Sequence, residues 1–234
     1  MTTYSETIVM SVGGSLIVPD AIDTDFLGRL TQLIETQIQS GRRFIIICGG
    51  GKTARRYQDA ATEVTDLSAD DLDWLGIHAT RLNGHLLRTV FKNVAHPAMI
   101  TNPDDILDVP EDTPLTIAAG YRPGSSTDYR AVQIAGNVGA QKMINLSNID
   151  YVYTADPKKD PDAKKIEDVT WSEFRKLIPA EWDPGLSSPF DPIAAKEAER
   201  LGLEVAILNG ANLTELEHYL NNESFIGTRI HPSV

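Results

Sequence analysis

Cysteine is nearly missing: Cys48 is the only one in 234 residues. One thiol excludes an internal disulfide and most cysteine-based metal sites. It sits in the run Phe44-Ile45-Ile46-Ile47-Cys48, which predicts a buried structural thiol. Long apolar runs are missing too. No stretch approaches the roughly 18 residues of a membrane span, which argues against a membrane partner. Met1-Thr2-Thr3-Tyr4-Ser5-Glu6 has neither the basic nor the apolar region of a signal peptide, so a cytoplasmic protein is expected. Basic residues are outnumbered, 21 Lys and Arg against 33 Asp and Glu, for a net charge of -12. That balance argues against a nucleic-acid partner, which needs a basic surface. It leaves room for an anionic small ligand, because a few local cations and backbone amides bind phosphate inside an acidic protein. His78, His85 and His96 have no spacing that calls for a metal, and no serine or cysteine has a histidine partner in a nucleophile pattern.

The remaining composition, 41% hydrophobic and 23% charged, is that of a globular protein long enough to bury a core. Apolar strands alternate with helical patterns from end to end. Strands are expected at Thr7–Val12, Arg42–Cys48, Thr116–Gly120, from Ile144, and at Val205–Leu208, with Gly227–Ile230 as a closing extended piece. Helices are expected at Asp25–Gln39, Asp70–Val90, Tyr129–Val138, from Thr170 and at Ile193–Leu201. This order predicts an α/β protein, a three-layer αβα sandwich with a mostly parallel central sheet. One domain with two lobes, about 1–140 and about 141–234, is simpler than two independent domains.

Three turns carry the chemistry. Gly13-Gly14-Ser15 follows the first strand. Gly49-Gly50-Gly51-Lys52-Thr53-Ala54-Arg55 follows the second, where backbone amides at a helix start, with Lys52 and Arg55, suit a phosphate. Tyr121-Arg122-Pro123-Gly124-Ser125-Ser126-Thr127 follows the third. Its hydroxyls fit either a ligand contact or an ordinary helix cap. A fourth stretch, Ile144–Ile166, breaks at Ser147-Asn148 and then presents Asp150, Tyr153, Asp156 and a lysine cluster. It reads as a phosphoryl-donor loop. Turns after parallel strands line up on one rim of the sheet. Two anion sites and an Asp-rich loop suggest a phosphoryl donor, a phosphorylated or carboxylated acceptor and Mg²⁺ between them.

These motifs resemble the amino acid kinase superfamily and, within it, the archaeal-type UMP kinases. The match covers Gly13-Gly14-Ser15, Gly49-Gly50-Gly51-Lys52 with Ala54-Arg55, Asp73 with Gly76-Ile77, Pro123-Gly124 with Thr127-Asp128, and Ser147-Asn148-Ile149-Asp150. It continues through Tyr153-Thr154-Ala155-Asp156-Pro157, Asp191-Pro192 with Ala194-Ala195-Lys196, and Gly227-Thr228 with Ile230. The resemblance implies phosphoryl transfer from ATP to UMP in pyrimidine nucleotide synthesis, Mg²⁺ with the ATP, and a homo-hexamer. The C-terminal lobe would bind ATP and the N-terminal lobe UMP. Gly14, Ser15, Gly51 and Arg55 would face the ATP phosphates; Ser147, Tyr153 and Asp156 would hold the adenosine side. Gly50, Asp73 and the turn from Tyr121 to Thr127 would hold UMP. Asp150 would be the acid near the transferred phosphate. Two positions depart from the pattern: Ser11 stands where many members have lysine, and Tyr151 where glycine is usual. Lys52 is the candidate replacement for the missing charge. The rivals are a same-fold kinase for another acceptor such as isopentenyl phosphate, and a non-catalytic nucleotide-binding or storage protein. The former would want an apolar acceptor turn and a histidine beside the glycines; this turn is polar and has none.

Overall fold

The computed structural model describes residues 4–181 and 188–233. Most of the loop expected at Trp182–Pro192 lies outside the described residues.

Seven strands form one sheet: β1 (Glu6–Val12), β2 (Arg42–Cys48), β3 (Leu115–Ala118), β4 (Lys142–Ser147), β7 (Asp168–Thr170), β8 (Glu204–Asn209) and β9 (Thr228–His231). Their order is β3-β2-β1-β4-β8-β9-β7. The first five in that order are parallel, β9 runs antiparallel to β8, and β7 pairs parallel with β9. A two-stranded hairpin, β5 (Val152–Tyr153) with β6 (Lys165–Ile166), stands apart. The expected mostly parallel sheet is therefore present, with an antiparallel strand near one edge.

Alternation sends β-strand side chains to two separate cores. Val9, Ile45, Ile47, Met143, Val205 and Ile207 are buried with α5 (Thr127–Val138), α6 (Trp171–Phe174) and α7 (Pro192–Leu201). Ile8, Met10, Val12, Phe44, Ile46, Cys48, Ile144 and Leu208 face α2 (Thr24–Gln39), α4 (Ala69–Val90) and α8 (Leu213–Leu220). The central strands are covered on both faces, which is why they read as unbroken apolar runs. Cys48 is fully buried and its thiol is pushed up to about 12 by removal from water, which leaves it inert.

Helix starts follow from short polar side chains. Asp23 accepts from the Phe26 N–H at 2.8 Å and starts α2. Ser68 and Asp71 form a reciprocal capping box that starts α4, so the acid run there serves the helix end. Ser126 accepts from the Tyr129 N–H at 3.1 Å, which starts α5 two residues earlier than expected. Asp191 accepts from the N–H groups of Ile193 and Ala194 at the start of α7. A short α1 (Gly14–Ile17) and α3 (Gly51–Val64) begin directly in the glycine turns, and a 3₁₀ turn occupies Pro103–Asp108.

The topology fixes where a ligand can sit. From β1 the chain moves to β2 and β3 on one side; β4 and β8 lie on the other. The order reverses between β1 and β4, and the crevice outside the carboxyl ends of such strands is the usual ligand site of an open α/β sheet.

Candidate active site

The turns after β1 and β2 meet backbone to backbone at that crevice. The Gly49 N–H donates to the Val12 carbonyl at 2.9 Å. A Cβ on Gly14 would lie 2.3 Å from the Gly49 oxygen and 2.4 Å from the Gly51 nitrogen. A Cβ on Gly51 would lie 2.3 Å from the Gly14 carbonyl carbon, and Gly51 has φ +58°. Glycine is thus required twice, by close approach and by a left-handed backbone. The Gly13 N–H donates to the Leu146 carbonyl, and the Gly210 N–H to the Ser147 carbonyl, both at 2.9 Å. The loops after β1, β2, β4 and β8 therefore form one continuous rim.

The start of α3 is left open. α2, α4, α5 and α7 each have a side chain accepting from their first-turn amides, whereas α3, like α8, has none, its N-cap being Gly50. Free amides at the positive end of a 14-residue helix make an anion seat. Arg55 Nη2 donates to Ser15 Oγ at 3.2 Å, which joins the two glycine turns and keeps a guanidinium at the seat. Lys52 leans the other way: its ammonium donates to Asp20 at 2.8 Å, and Arg56 lies 3.6 Å from the same carboxylate. The Lys52 hydrogen bond and charge hold Asp20 below the usual carboxylate range.

The third turn is fastened to α4. The Gly124 N–H donates to Asp73 Oδ2 at 2.8 Å. Thr80 Oγ1 accepts from the Gly120 N–H at 2.8 Å and donates to the Ile77 carbonyl. Arg81 donates to the carbonyls of Gly120 and Tyr121. Higher on the same helix, the buried Asn83 amide donates to the Gly49 carbonyl at 2.8 Å. One helix therefore sets the distance between the glycine-rich seat and the turn from Tyr121 to Thr127. Of that turn's hydroxyls, Ser126 is the helix cap, and Ser125 Oγ is buried without a hydrogen-bond partner among the described residues.

On the other side of the crevice Ser147 Oγ accepts from the Ile149 N–H, and Asp150 Oδ1 accepts from the Asn209 amide at 2.7 Å. Asp150 is exposed at the rim. Tyr153 lies in the β5–β6 hairpin, opposite Lys165. Asp156 lies beyond it; its carboxylate accepts from the Lys158 N–H and sits 3.7 Å from the Lys159 ammonium. Tyr151 does not adopt positive φ: among the described residues other than glycine, only Asn222 does. The backbone there has no need of glycine, and the Tyr151 ring lies 4.8 Å from the Lys165 ammonium.

Beneath the crevice lies a polar group that sequence spacing did not bring together. Ser11 on β1 and Asn145 on β4 are register partners, both buried, on the face that meets α5 and α7. Ser11 Oγ donates to Asp128 Oδ1 at 2.9 Å. Removal from water pushes the Asp128 carboxyl up to about 6; the Asp191 charge pushes the same way, while hydrogen bonds from Ser11 and Asn145 oppose it. Asp191 Oδ2 is buried with no partner among the described residues. At Ser11, the position where the resemblance gives many members a lysine, there is thus a hydroxyl that orients an aspartate. The hints available in sequence were polar residues inside apolar runs, Ser11 in Val9–Val12 and Asn145 in Met143–Leu146.

Comparison with known proteins agrees with this geometry. The model of the amino acid kinase family matches residues 6–209. The chain belongs to the amino acid kinase family. It is 34% identical to a uridylate kinase of Methanospirillum hungatei over 96% of this chain and 94% of that one. It is 30% identical to a uridylate kinase of Pyrococcus abyssi over 96% and 99%. The crystal structure of uridylate kinase from Archaeoglobus fulgidus superimposes with a TM-score of 0.81 at 28% identity, covering 95% of this chain and 99% of that one. The fold is therefore shared over most of the length of both chains.

Proposed function

We propose that this family member is a UMP kinase, transferring the γ-phosphoryl group of ATP to UMP to give ADP and UDP. The observation that carries the reading is the contact of Gly14 with Gly51, which puts an uncapped helix start and Arg55 at the sheet's switch point. Relatives called uridylate kinase, matched over nearly the whole chain, support the choice of acceptor.

In this reading the C-terminal lobe holds ATP and the N-terminal lobe holds UMP. Gly14, Ser15, Gly51 and Arg55 take the ATP phosphates, with Ser147, Tyr153 and Asp156 on the adenosine side. Gly50, Asp73 and the turn Tyr121, Arg122, Pro123, Gly124, Ser125, Ser126, Thr127 take UMP. A phosphate oxygen of UMP attacks the γ-phosphorus while the bond from that phosphorus to the β–γ bridging oxygen breaks. The attacking oxygen is already ionised at neutral pH, so no general base is needed. The chain's task is to align the two nucleotides and neutralise charge. Lys52 and Asp150 are the reacting-centre candidates. Lys52 acts by exchanging Asp20 for the transferred group. Ser11, Asn145 and Asp191 hold Asp128 below the crevice as positioning residues.

Mg²⁺ keeps water and phosphate ligands and asks few carboxylates of a protein. No group of three or more His, Cys, Asp or Glu gathers among the described residues. Asp150, exposed at the rim, fits the role of a single carboxylate holding the ion through the ATP phosphates, where Mg²⁺ would neutralise their charge. Exposed Ile22 and Leu82 share one apolar groove with Val18 and Leu86, which supports self-association, with a hexamer as the family expectation. No helix among the described residues is long and apolar enough to cross a membrane.

The deciding experiment is a coupled ADP-release assay with Mg-ATP against UMP, CMP, dTMP and isopentenyl phosphate. UMP should give the highest kcat/KM. Preference for a non-nucleotide overturns the acceptor, and activity with none overturns the kinase.

A further inference from the structure

Two guanidiniums lie near one aromatic ring, that of Tyr121, beside the acceptor turn, and each feels the other's charge. Arg130, on α5, is only 6% exposed. Its Nη1 donates to Gln133 at 2.7 Å, but its buried Nε has no hydrogen-bond partner among the described residues. The carbon of its guanidinium lies 5.4 Å from the Tyr121 ring centre and 5.8 Å from that of Tyr129. Arg122, exposed, lies 5.6 Å from the same Tyr121 ring. Among the described residues neither arginine has a carboxylate within salt-bridge distance, in a chain with 33 acids. Asp104 is the acid that acts on Arg130, from beyond contact, and it accepts from Asn137 instead. Removal from water, then the charge of Arg122, holds Arg130 below the ordinary guanidinium range.

Buried cations are almost always paired, because an unpaired one forfeits its hydration with no return. Aromatic faces compensate only in part. We propose that Arg122 and Arg130 form a second oxyanion site that takes the phosphate group of a small phosphorylated metabolite. Two planar forks match the oxygens of a phosphate, and one dianion would cancel their mutual repulsion.

The site adjoins the acceptor turn on its α5 side and, on the UMP reading, shares Arg122 with it. Asp128 faces Ser11 on β1, and two residues on in a helix is a rotation of about 200°. Arg130 therefore shares the face of Gln133 and Asn137, which meets the 3₁₀ turn at Pro103–Asp108. Tyr121 and Arg122 begin the turn that Asp73 fastens at Gly124. A ligand bridging Arg122 to α5 clamps that turn from behind. On the UMP reading of the turn, it lowers KM for the acceptor.

The test is thermal melting of the full chain with inorganic phosphate, against chloride at equal ionic strength, with ADP and UMP already saturating. Phosphate should raise the melting temperature beyond chloride. R122M and R130M should each weaken the apparent phosphate affinity about tenfold. Arg122 is exposed, so R122M decides the matter if R130M does not fold, with UMP raised until its own melting shift is saturated in that variant. A phosphate response in R122M equal to that of the unaltered chain, or no response beyond chloride, overturns the proposal. The UMP reading is scored separately: UMP alone should raise the melting temperature, and its failure to do so leaves the phosphate comparison between the two chains intact.

Discussion

Gly51→Ala puts a side chain where the two glycine turns touch. Its Cβ would stand 2.3 Å from the Gly14 carbonyl carbon, 2.5 Å from the Ser15 nitrogen and 2.6 Å from the Gly14 oxygen. All three are backbone atoms, so no rotamer change relieves the overlap. Carbon atoms in contact prefer about 3.5–4.0 Å, so the two turns must part by roughly 1 Å. The left-handed φ of +58° adds about 1–2 kcal/mol for any side chain. Overpacking against the neighbouring turn adds about 1–3 kcal/mol. Gly139→Ala is the matched control: φ is +66° and nothing lies within 4 Å of the added carbon, so only the strain of about 1–2 kcal/mol applies. Urea melts should therefore rank Gly51→Ala well below Gly139→Ala. The kinase assay should separate them further, because a misplacement of about 1 Å at a reacting centre costs on the order of 100-fold in rate. Gly139→Ala should keep nearly full kcat/KM. Equal losses of stability and of rate in the two variants would refute the claim that these turns abut and seat the donor phosphates.

Three further outcomes follow from other parts of the site. Asn83→Ala leaves the half-buried Gly49 carbonyl without its side-chain donor and should cost about 1 kcal/mol in a urea melt, with KM for UMP raised because α4 no longer registers the seat against the acceptor turn. Asp128 has a folded value of about 6 against 3.8 for the free carboxyl, so it binds its proton more tightly when folded, and stability present below pH 3.8 is lost as pH rises through 6. Asp128→Asn should accordingly be more stable than the unaltered chain at pH 8, by up to about 3 kcal/mol, with the gap closing toward pH 4; equal melts at pH 8 would contradict the burial argument. Lys52→Met should lower kcat about 100-fold with KM for ATP little changed, if the ammonium leaves Asp20 for the transferred group; unchanged turnover removes Lys52 from the reaction.

The layered fold was legible because central parallel strands are dry on both faces, and Phe44–Cys48 could hardly be read otherwise. The glycine turns were legible for a different reason. Only a backbone approach or a left-handed φ makes three consecutive glycines worthwhile between a strand and a helix, and Gly14 with Gly51 shows both at work. The acid run at Asp70-Asp71 and the hydroxyls at Ser125-Ser126 were partly helix-end chemistry, as Ser68 with Asp71 and Ser126 with Tyr129 make plain. What could not be read was anything that depends on strand register. Ser11 meets Asp128 across 117 positions, and Asn145 meets Ser11 only because β4 pairs with β1. Local spacing holds no trace of such a pairing. Asn83, Thr80 and Arg81 were hidden the same way, as ordinary residues of a long helix until its partners were in place.

The loss of lysine at Ser11 looks different once that register is known. A lysine on β1 would bring a charge directly to the crevice. This chain instead buries a hydroxyl against a carboxyl that is itself raised toward neutrality by Asp191 and by burial. Two carboxylates and no cation under an anion seat would repel a phosphate if both were ionised. With Asp128 near 6, the carboxyl is still mostly ionised at neutral pH, so the negative charge of the cluster has to be outweighed from elsewhere. The positive side then comes from the rim: the open start of α3, Arg55 tied to Ser15, and Lys52 waiting on the exposed Asp20. A surface ion pair such as Lys52–Asp20 is worth only about 0–1 kcal/mol, so releasing the lysine to a phosphate costs little. The charge that the first strand gives up can thus be delivered from the second turn. The double change Ser11→Lys with Lys52→Met tests that exchange: it should recover turnover lost in Lys52→Met alone if the two positions serve one phosphate, and should recover none if they serve different ones.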